Sequence, residues 1–275
     1  TRDRVDRRQR QRGVRDREWL MAGANSGTDS PPLSNTSLAV LIDADNTPPK
    51  IVDGLFEEIA KFGTASVKRI YGDWTKPNLG GWKSVLLKHS VQPIQQFAYT
   101  QGKNATDCSM IIDAMDLLYT KQLSGFCLVS SDSDFTRLAA RLREEGLTVY
   151  GFGERKTPGP FVAACDKFIY TEVLRSDHAP ESTSDKPDTP AQSETPVSKE
   201  PPPLQLIANV IDDISDEDDW ANLGTVGQHL SKRKPDFDTR LFGHKKLSDM
   251  IRAYPKWFQI QKGQGKSIQV KTLRK

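Results

Sequence analysis

LAVLIDADN, residues 38–46, is the stretch whose reading decides the fold of this chain. SLAVLIDAD (37–45) holds six apolar residues bounded by polar ones, which reads as a β-strand, and it ends in Asp43 and Asp45, spaced by one residue. The pattern returns in LVSSDSDF (128–135), where Asp132 and Asp134 close a second apolar run. Residues i and i+2 of an extended segment share a side, so each Asp-x-Asp pair is expected to face one crevice.

Outward from the first strand, strands and helices alternate. Thr47 is expected to cap a helix with Pro48 in its first position, where a missing N–H costs no bond. That helix, IVDGLFEEIAKFG (51–63), is expected to stop at Gly63. SVKRIYGD (66–73) reads as a strand, LGGWKSVLLKHS (79–90) as a helix and PIQQFAY (93–99) as a short strand. TDCSMIIDAMDLLYT (106–120) is a longer helix with Asp107 in its first turn. GFCLVSSDSD (125–134), FTRLAARLREEG (135–146) and LTVYGFG (147–153) read as strand, helix and strand, and a last short piece surrounds FVAACDKFIY (161–170). This alternation predicts an α/β domain, a mostly parallel sheet with helices on both faces. Ligands of such sheets bind beyond the carboxyl ends of the strands, where Asp43, Asp45, Asp132 and Asp134 fall.

Converging carboxylates repel one another and raise their own pKa values unless a cation offsets them. The expected occupant is a hard divalent ion, Mg²⁺ or Mn²⁺, and the natural chemistry of such a site is on phosphate esters. The alternative reading takes each Asp alone as a strand-end or helix-capping residue. The turn DADNTPP after the first strand lacks the GxGxxG pattern, which excludes a dinucleotide site of that type. A phospho-accepting aspartate site expects a later Lys that the sequence does not place.

On these stretches, together with RIYGDW, GKNATDCSMIIDAMD and LTVYGFG, residues 37–175 resemble the NYN domain, a branch of the PIN-like nuclease superfamily. The resemblance implies a metal-dependent ribonuclease. Its acids fall on Asp43, Asp107, Asp132 and Asp134, with Asp113 matching the second acid of the family helix; Ser131 stands where many members have Gly. In that chemistry Asp43 is a direct or bridging metal ligand. Asp107 and Asp132 complete the cluster, directly or through water, with Asp134 and Asp45 as partial or outer ligands. Asn46 either binds a phosphate oxygen, orients Asp43 or caps a helix. Lys103 and Ser131, beside the acids, are candidates for substrate phosphate. Asp113 lies about 120° around the helix from Asp107 and is expected to pair elsewhere or bind through water. Trp74 and Trp82 either stack on unpaired bases or pack against the domain.

The rest of the chain divides by composition. Residues 1–36 form a basic extension expected to be disordered: 1–20 hold eight Arg against four acids, which more than accounts for the net charge of +3. Residues 176–203 carry seven Pro and no aromatic and read as a disordered acidic linker. Residues 204–275 form a second small domain; within it 228–275 holds thirteen Lys or Arg against three acids. LGTVGQHLSKRKPDFDTRLFGHKKLSDMIRAYPKWFQI (223–260) resembles a LOTUS (OST-HTH) domain. That resemblance implies a winged-helix-like α+β fold and RNA binding, including guanine-rich or quadruplex RNA, and a protein partner in some relatives. The pairing resembles bacterial proteins of this composite type.

Leu223, Val226, Leu230, Phe237, Leu241, Leu247, Met250 and Ile251 are expected to form the core of this second domain, and FQI (258–260) and IQV (268–270) the wing. Trp257 is expected in that core with an exposed edge. Its basic surface comprises Lys232, Arg233, Lys234, Arg240, Lys245, Lys246, Arg252, Lys256, Lys262 and Lys266, of which Lys232, Arg233, Lys234, Lys245 and Lys246 are the RNA-contact candidates.

No apolar run approaches the roughly 20 residues of a membrane span, so no membrane partner is expected. Cys108, Cys127 and Cys165 lack metal-ligand spacing and read as buried free thiols of a reducing compartment, the cytoplasm. The leading reading is a metal-dependent endoribonuclease with an RNA-binding domain; the alternative is an RNA-binding adaptor with a weak or inactive nuclease. A DNA-binding regulator would need a recognition helix dense in Arg, Asn and Gln, which is not present.

Overall fold

A computed structural model describes residues 36–75, 77–97, 105–120, 122–175, 201–263 and 267–273. The basic extension, Lys103, Lys266 and most of the linker lie outside them.

Six strands form one parallel sheet: β1 (Ser37–Asp43), β2 (Thr64–Gly72), β3 (Gln92–Gln95), β4 (Gly125–Val129), β5 (Thr148–Gly153) and β6 (Lys167–Tyr170), in the order β3-β2-β1-β4-β5-β6. The order reverses between β1 and β4, which pair with Ile42 opposite Val129. Beyond the carboxyl ends of these two strands the connecting chains diverge and leave a crevice.

The alternation of β1 explains its continuous apolarity. Leu38, Val40 and Ile42 pack on one face with α1 (Val52–Ile59), α2 (Trp82–His89) and α6 (Thr171–Arg175). Ala39 and Leu41 pack on the other with α3 (Ala105–Tyr119), α4 (Thr136–Glu144) and α5 (Gly159–Ala164). Each helix turns one stripe inward: Val52, Leu55 and Ile59 in α1, Met110, Ala114 and Leu118 in α3, Leu138, Ala139 and Leu142 in α4. A fully buried side chain of this size contributes about 1.5–3 kcal/mol. A strand covered on both faces therefore has no polar position until it ends, and the first polar residue of β1 after Ser37 is Asp43.

Several local expectations are corrected. Pro48, not Thr47, caps a short 3₁₀ turn (Pro49–Ile51) with Pro49 in its first position; Thr47 is buried and donates to the Val129 carbonyl at 3.5 Å. α1 ends at Ile59, four residues before Gly63. Gly63 is required for another reason: a Cβ there would lie 2.3 Å from the Thr36 carbonyl oxygen. Trp82 is buried in the core, 1% exposed, so it has no face for a base. Trp74 packs against the same core and donates its indole N–H to the Ile94 carbonyl at 3.0 Å. Cys127 and Cys165 are buried, but Cys108 is exposed on α3, because its neighbour Asp107 takes the inward position.

The C-terminal domain contains α7 (Leu204–Ile214), β7 (Ala221–Asn222), α8 (Leu223–Arg233), a 3₁₀ turn (Thr239–Phe242), α9 (Leu247–Ala253), β8 (Phe258–Lys262) and β9 (Ile268–Thr272). β8 and β9 form the antiparallel wing and β7 pairs with β9. Asn222 caps α8, accepting from the N–H groups of Gly224 and Thr225. The expected core residues are buried together, with Leu247 and Trp257 partly buried against them.

Candidate metal centre

Asp43 is the last residue of β1 and shares its side of the sheet with Ala39 and Leu41, the side covered by α3. Asp107 lies in the first turn of α3. The same crevice therefore receives one acid from the end of the central strand and another from the start of the helix above it. Asp132 and Asp134 arrive from the turn after β4. One carboxylate oxygen from each of Asp107, Asp132 and Asp134 lies within 4.8 Å of the other two.

The two Asp-x-Asp pairs converge by turn geometry, not by strand alternation. β1 stops at Asp43, which is buried, while Asp45 is exposed and donates its backbone N–H to Asp43 Oδ1 at 3.0 Å. β4 stops at Val129, and Asp132 caps the 3₁₀ turn Ser133–Phe135 by accepting the Asp134 N–H at 2.9 Å.

Asp43 is held from three directions. Asn46 Nδ2 donates to its Oδ2 at 2.7 Å, Ser130 Oγ donates to the same oxygen at 2.8 Å, and Asp45 N–H binds Oδ1. Ser130 Oγ in turn accepts the Asp132 N–H at 3.1 Å, which ties the β1 acid to the β4 turn. Ser130 escaped the sequence reading; its only signal there is a small hydroxyl one residue past the end of β4. Burial pushes the Asp43 pKa up, and the Asn46, Ser130 and Asp45 hydrogen bonds pull against it. Asp107 is pushed up to about 6, first by burial and then by the charges of Asp43, Asp132, Asp134 and Asp45. All five acids thus share one electrostatic site.

The donor set fits a small hard cation. Ligands about 2.1 Å from such an ion stand roughly 3 Å apart when adjacent and about 4.2 Å apart when opposite, so a 4.8 Å cluster closes with small side-chain shifts. A carboxylate offers about four lone-pair positions. Among the described residues, three donors occupy three of those of Asp43.

The remaining candidates are placed as follows. Asn46 orients Asp43 and caps no helix. Ser131 is buried, and its Oγ accepts the Glu154 N–H at 2.8 Å, joining the β4 and β5 ends. Asp113 accepts from Arg69 Nη1 and from the Tyr71 hydroxyl, each at 2.9 Å, and so serves the helix–sheet interface. A groove of about 480 Å³ is lined by Asp45, Asn46, Thr47, Lys50, Glu154 and Lys156, among others, which adds two lysines the sequence reading did not single out.

In the C-terminal domain Lys232, Arg233, Lys245 and Lys246 are exposed and Lys234 is half-buried. Arg233 pairs with Asp213 at 2.5 Å. Arg240 leaves the expected basic surface altogether, because Asp238 and Glu58 hold it. Among the described residues no helix is long and apolar enough to cross a membrane.

The family model described as NYN domain matches residues 37–174, and that described as OST-HTH/LOTUS domain matches residues 200–270. No curated protein matches the chain. Among solved structures, a protein of unknown function from Vibrio parahaemolyticus is 16% identical, with 53% of this chain and 96% of that one covered at a TM-score of 0.44. An uncharacterized protein from Nitrosomonas europaea is 30% identical over 35% of this chain and 93% of its own, TM-score 0.27. A Chromobacterium violaceum protein is 25% identical over 28% of this chain and 87% of its own, TM-score 0.23.

Proposed function

The chain belongs to the NYN domain family and carries an OST-HTH/LOTUS domain, and on that premise we propose that it is a divalent-metal-dependent endoribonuclease whose C-terminal domain binds the RNA. The observation that carries the reading is the cluster of Asp107, Asp132 and Asp134 above the buried Asp43. Mutual repulsion in such a cluster costs the folded protein stability, and a cation removes that cost.

Asp107, Asp132 and Asp134 would hold Mg²⁺ or Mn²⁺, with Asp43 beneath them. When bound, the ion lowers the pKa of a water and stabilises charge on the scissile phosphate. The residues do the rest. Asn46 and Ser130 fix the Asp43 carboxylate in one rotamer. Asp45, exposed at the rim, adds negative charge that repels the other acids and would favour the cation. Lys50 along the adjacent groove supplies positive charge for the flanking phosphates, the role also assigned to Lys103, whereas Lys156 is paired there with Glu154 at 2.8 Å. Ser131 acts by fixing the β4 turn against β5. On the C-terminal domain Lys232, Arg233, Lys234, Lys245 and Lys246 neutralise RNA backbone, and guanine-rich or quadruplex RNA is the form that the resemblance to the LOTUS domain points to.

The test is cleavage of labelled single-stranded RNA by the full chain with Mg²⁺, with Mn²⁺ and with chelator, comparing wild type and Asp43→Asn. Metal-dependent cutting by wild type alone is expected. Equal cutting by a folded Asp43→Asn protein would overturn the assignment, and binding without cutting by wild type would make the chain an RNA-binding adaptor.

A further inference from the structure

The C-terminal domain is built onto the nuclease domain. Arg240 Nε and Nη2 reach Asp238 at 3.1 and 2.7 Å, while Nη1 and Nη2 reach across to the Glu58 carboxylate, near the end of α1, at 3.0 and 3.1 Å. The Glu58 side chain is only 6% exposed there and that of Arg240 21%. The Tyr170 hydroxyl donates to Asp236 at 3.0 Å. Val173 of α6 is buried within the apolar core of the C-terminal domain. The Phe168 backbone N–H donates to the Pro235 carbonyl at 2.9 Å.

That last bond falls on β6, the edge of the parallel sheet. An uncovered edge presents unpaired N–H and C=O groups to any passing strand. Here the loop between α8 and α9 takes the edge N–H, and a two-pronged ion pair with little solvent around it fixes the loop in one orientation.

We infer that the C-terminal domain is the permanent cap of the β6 edge, and that RNA held on it is presented to the carboxylates at a fixed distance and direction. The register sets the scale. Phe168 lies opposite Gly151, Gly151 opposite Leu128, and Leu128 opposite Leu41, two residues before Asp43. With strands ~4.8 Å apart and a rise of ~3.3 Å per residue, the docking bond is on the order of 15 Å from Asp43. The basic run Lys232–Lys234 leads directly into the docking residues Pro235, Asp236, Asp238 and Arg240, so its position is fixed by the same contacts. The presentation of RNA rests on the proposed function; the docking does not.

Small-angle scattering of the full chain tests the docking, and the spread of cut positions on an RNA with one high-affinity element tests the presentation. The double variant Glu58→Ala/Tyr170→Phe lies entirely on the nuclease side and leaves Arg240 paired with Asp238. It is expected to raise the maximum dimension of the particle and to widen the cutting window at least twofold. Cutting of an oligonucleotide too short to span both domains should not change. Arg240→Ala should act in the same way from the other side, and the double variant decides the matter if Arg240→Ala unfolds its own domain. A wild type that scatters as two independent bodies overturns the docking, and a double variant with unchanged scattering overturns the part given in it to Glu58 and Tyr170. Unchanged cut positions in an opened variant overturn the fixed presentation. A compact wild type that cuts no RNA removes the nuclease reading and the presentation with it, and leaves the docking standing.

Discussion

Asn46 donates its side-chain amide to Asp43 Oδ2 at 2.7 Å, so an exposed residue of the loop sets the rotamer of the buried acid at the floor of the site. Outer partners of this kind typically change metal affinity or activity 10–100-fold when removed. Asn46→Ala is therefore expected to raise the Mn²⁺ concentration for half-maximal cleavage by about that factor, with KM for RNA nearly unchanged. A rise in KM alone would instead assign Asn46 to a substrate phosphate. Asn46→Asp, which sets a second carboxylate against Asp43, should lose more.

Asp107→Asn is expected to stabilise the metal-free protein. The folded-state pKa of Asp107 is raised from 3.8 to about 6. The unfolded chain therefore releases this proton first, so stability falls as pH rises through that window, and the whole penalty is present above about 6. Two pKa units correspond to at most about 3 kcal/mol. Thermal melts in chelator should show a higher Tm for the variant at pH 7 and a smaller gain at pH 4.5. Saturating Mg²⁺ or Mn²⁺ should shrink the gain at pH 7. A variant less stable than wild type in chelator at pH 7 would count against burial and neighbouring charge as a net cost at this acid.

Asp113→Asn should act on stability and spare the chemistry. The carboxylate is shared by Arg69 and Tyr71, and its loss leaves a half-buried guanidinium without its counter-charge. The expected cost is about 1–3 kcal/mol in urea unfolding. The metal dependence of cleavage should match wild type, and a shift in it would bring Asp113 into the metal site.

What the sequence made legible and what it hid follow from range. The β1 run and the inward stripes of α1, α3 and α4 are local periodicities, and they placed the sheet, its two helical layers and the crevice with Asp43 and Asp107. The turns after β1 and β4 were harder, because backbone bonds to Asp43 and Asp132 bend the chain where continued strands were expected. Trp82 sits in a polar-looking segment, yet α2 carries it inward. Arg240 and Glu58 are 182 residues apart and neither belongs to a motif, so only the folded chain shows that one of the ten basic residues is spent on docking.

The docking should be acid-sensitive. Burial by itself would push the Glu58 pKa up, but hydrogen bonds from Lys61 and Arg240, with their charges, hold it below its ordinary value. A lowered folded-state pKa means that the stabilisation is complete above the unfolded value of 4.5 and is lost as pH falls through the folded value. Lowering the pH below about 4.5 should therefore loosen the two domains before either melts. Scattering would show this as a rising maximum dimension, with far-ultraviolet circular dichroism unchanged. In Glu58→Gln, which keeps a neutral acceptor for Arg240 but cannot titrate, the dimension should no longer depend on pH across this window. A wild type whose dimension stays constant until the circular dichroism signal collapses would show that the bridge contributes little, and would shift the docking onto the Phe168–Pro235 and Tyr170–Asp236 bonds.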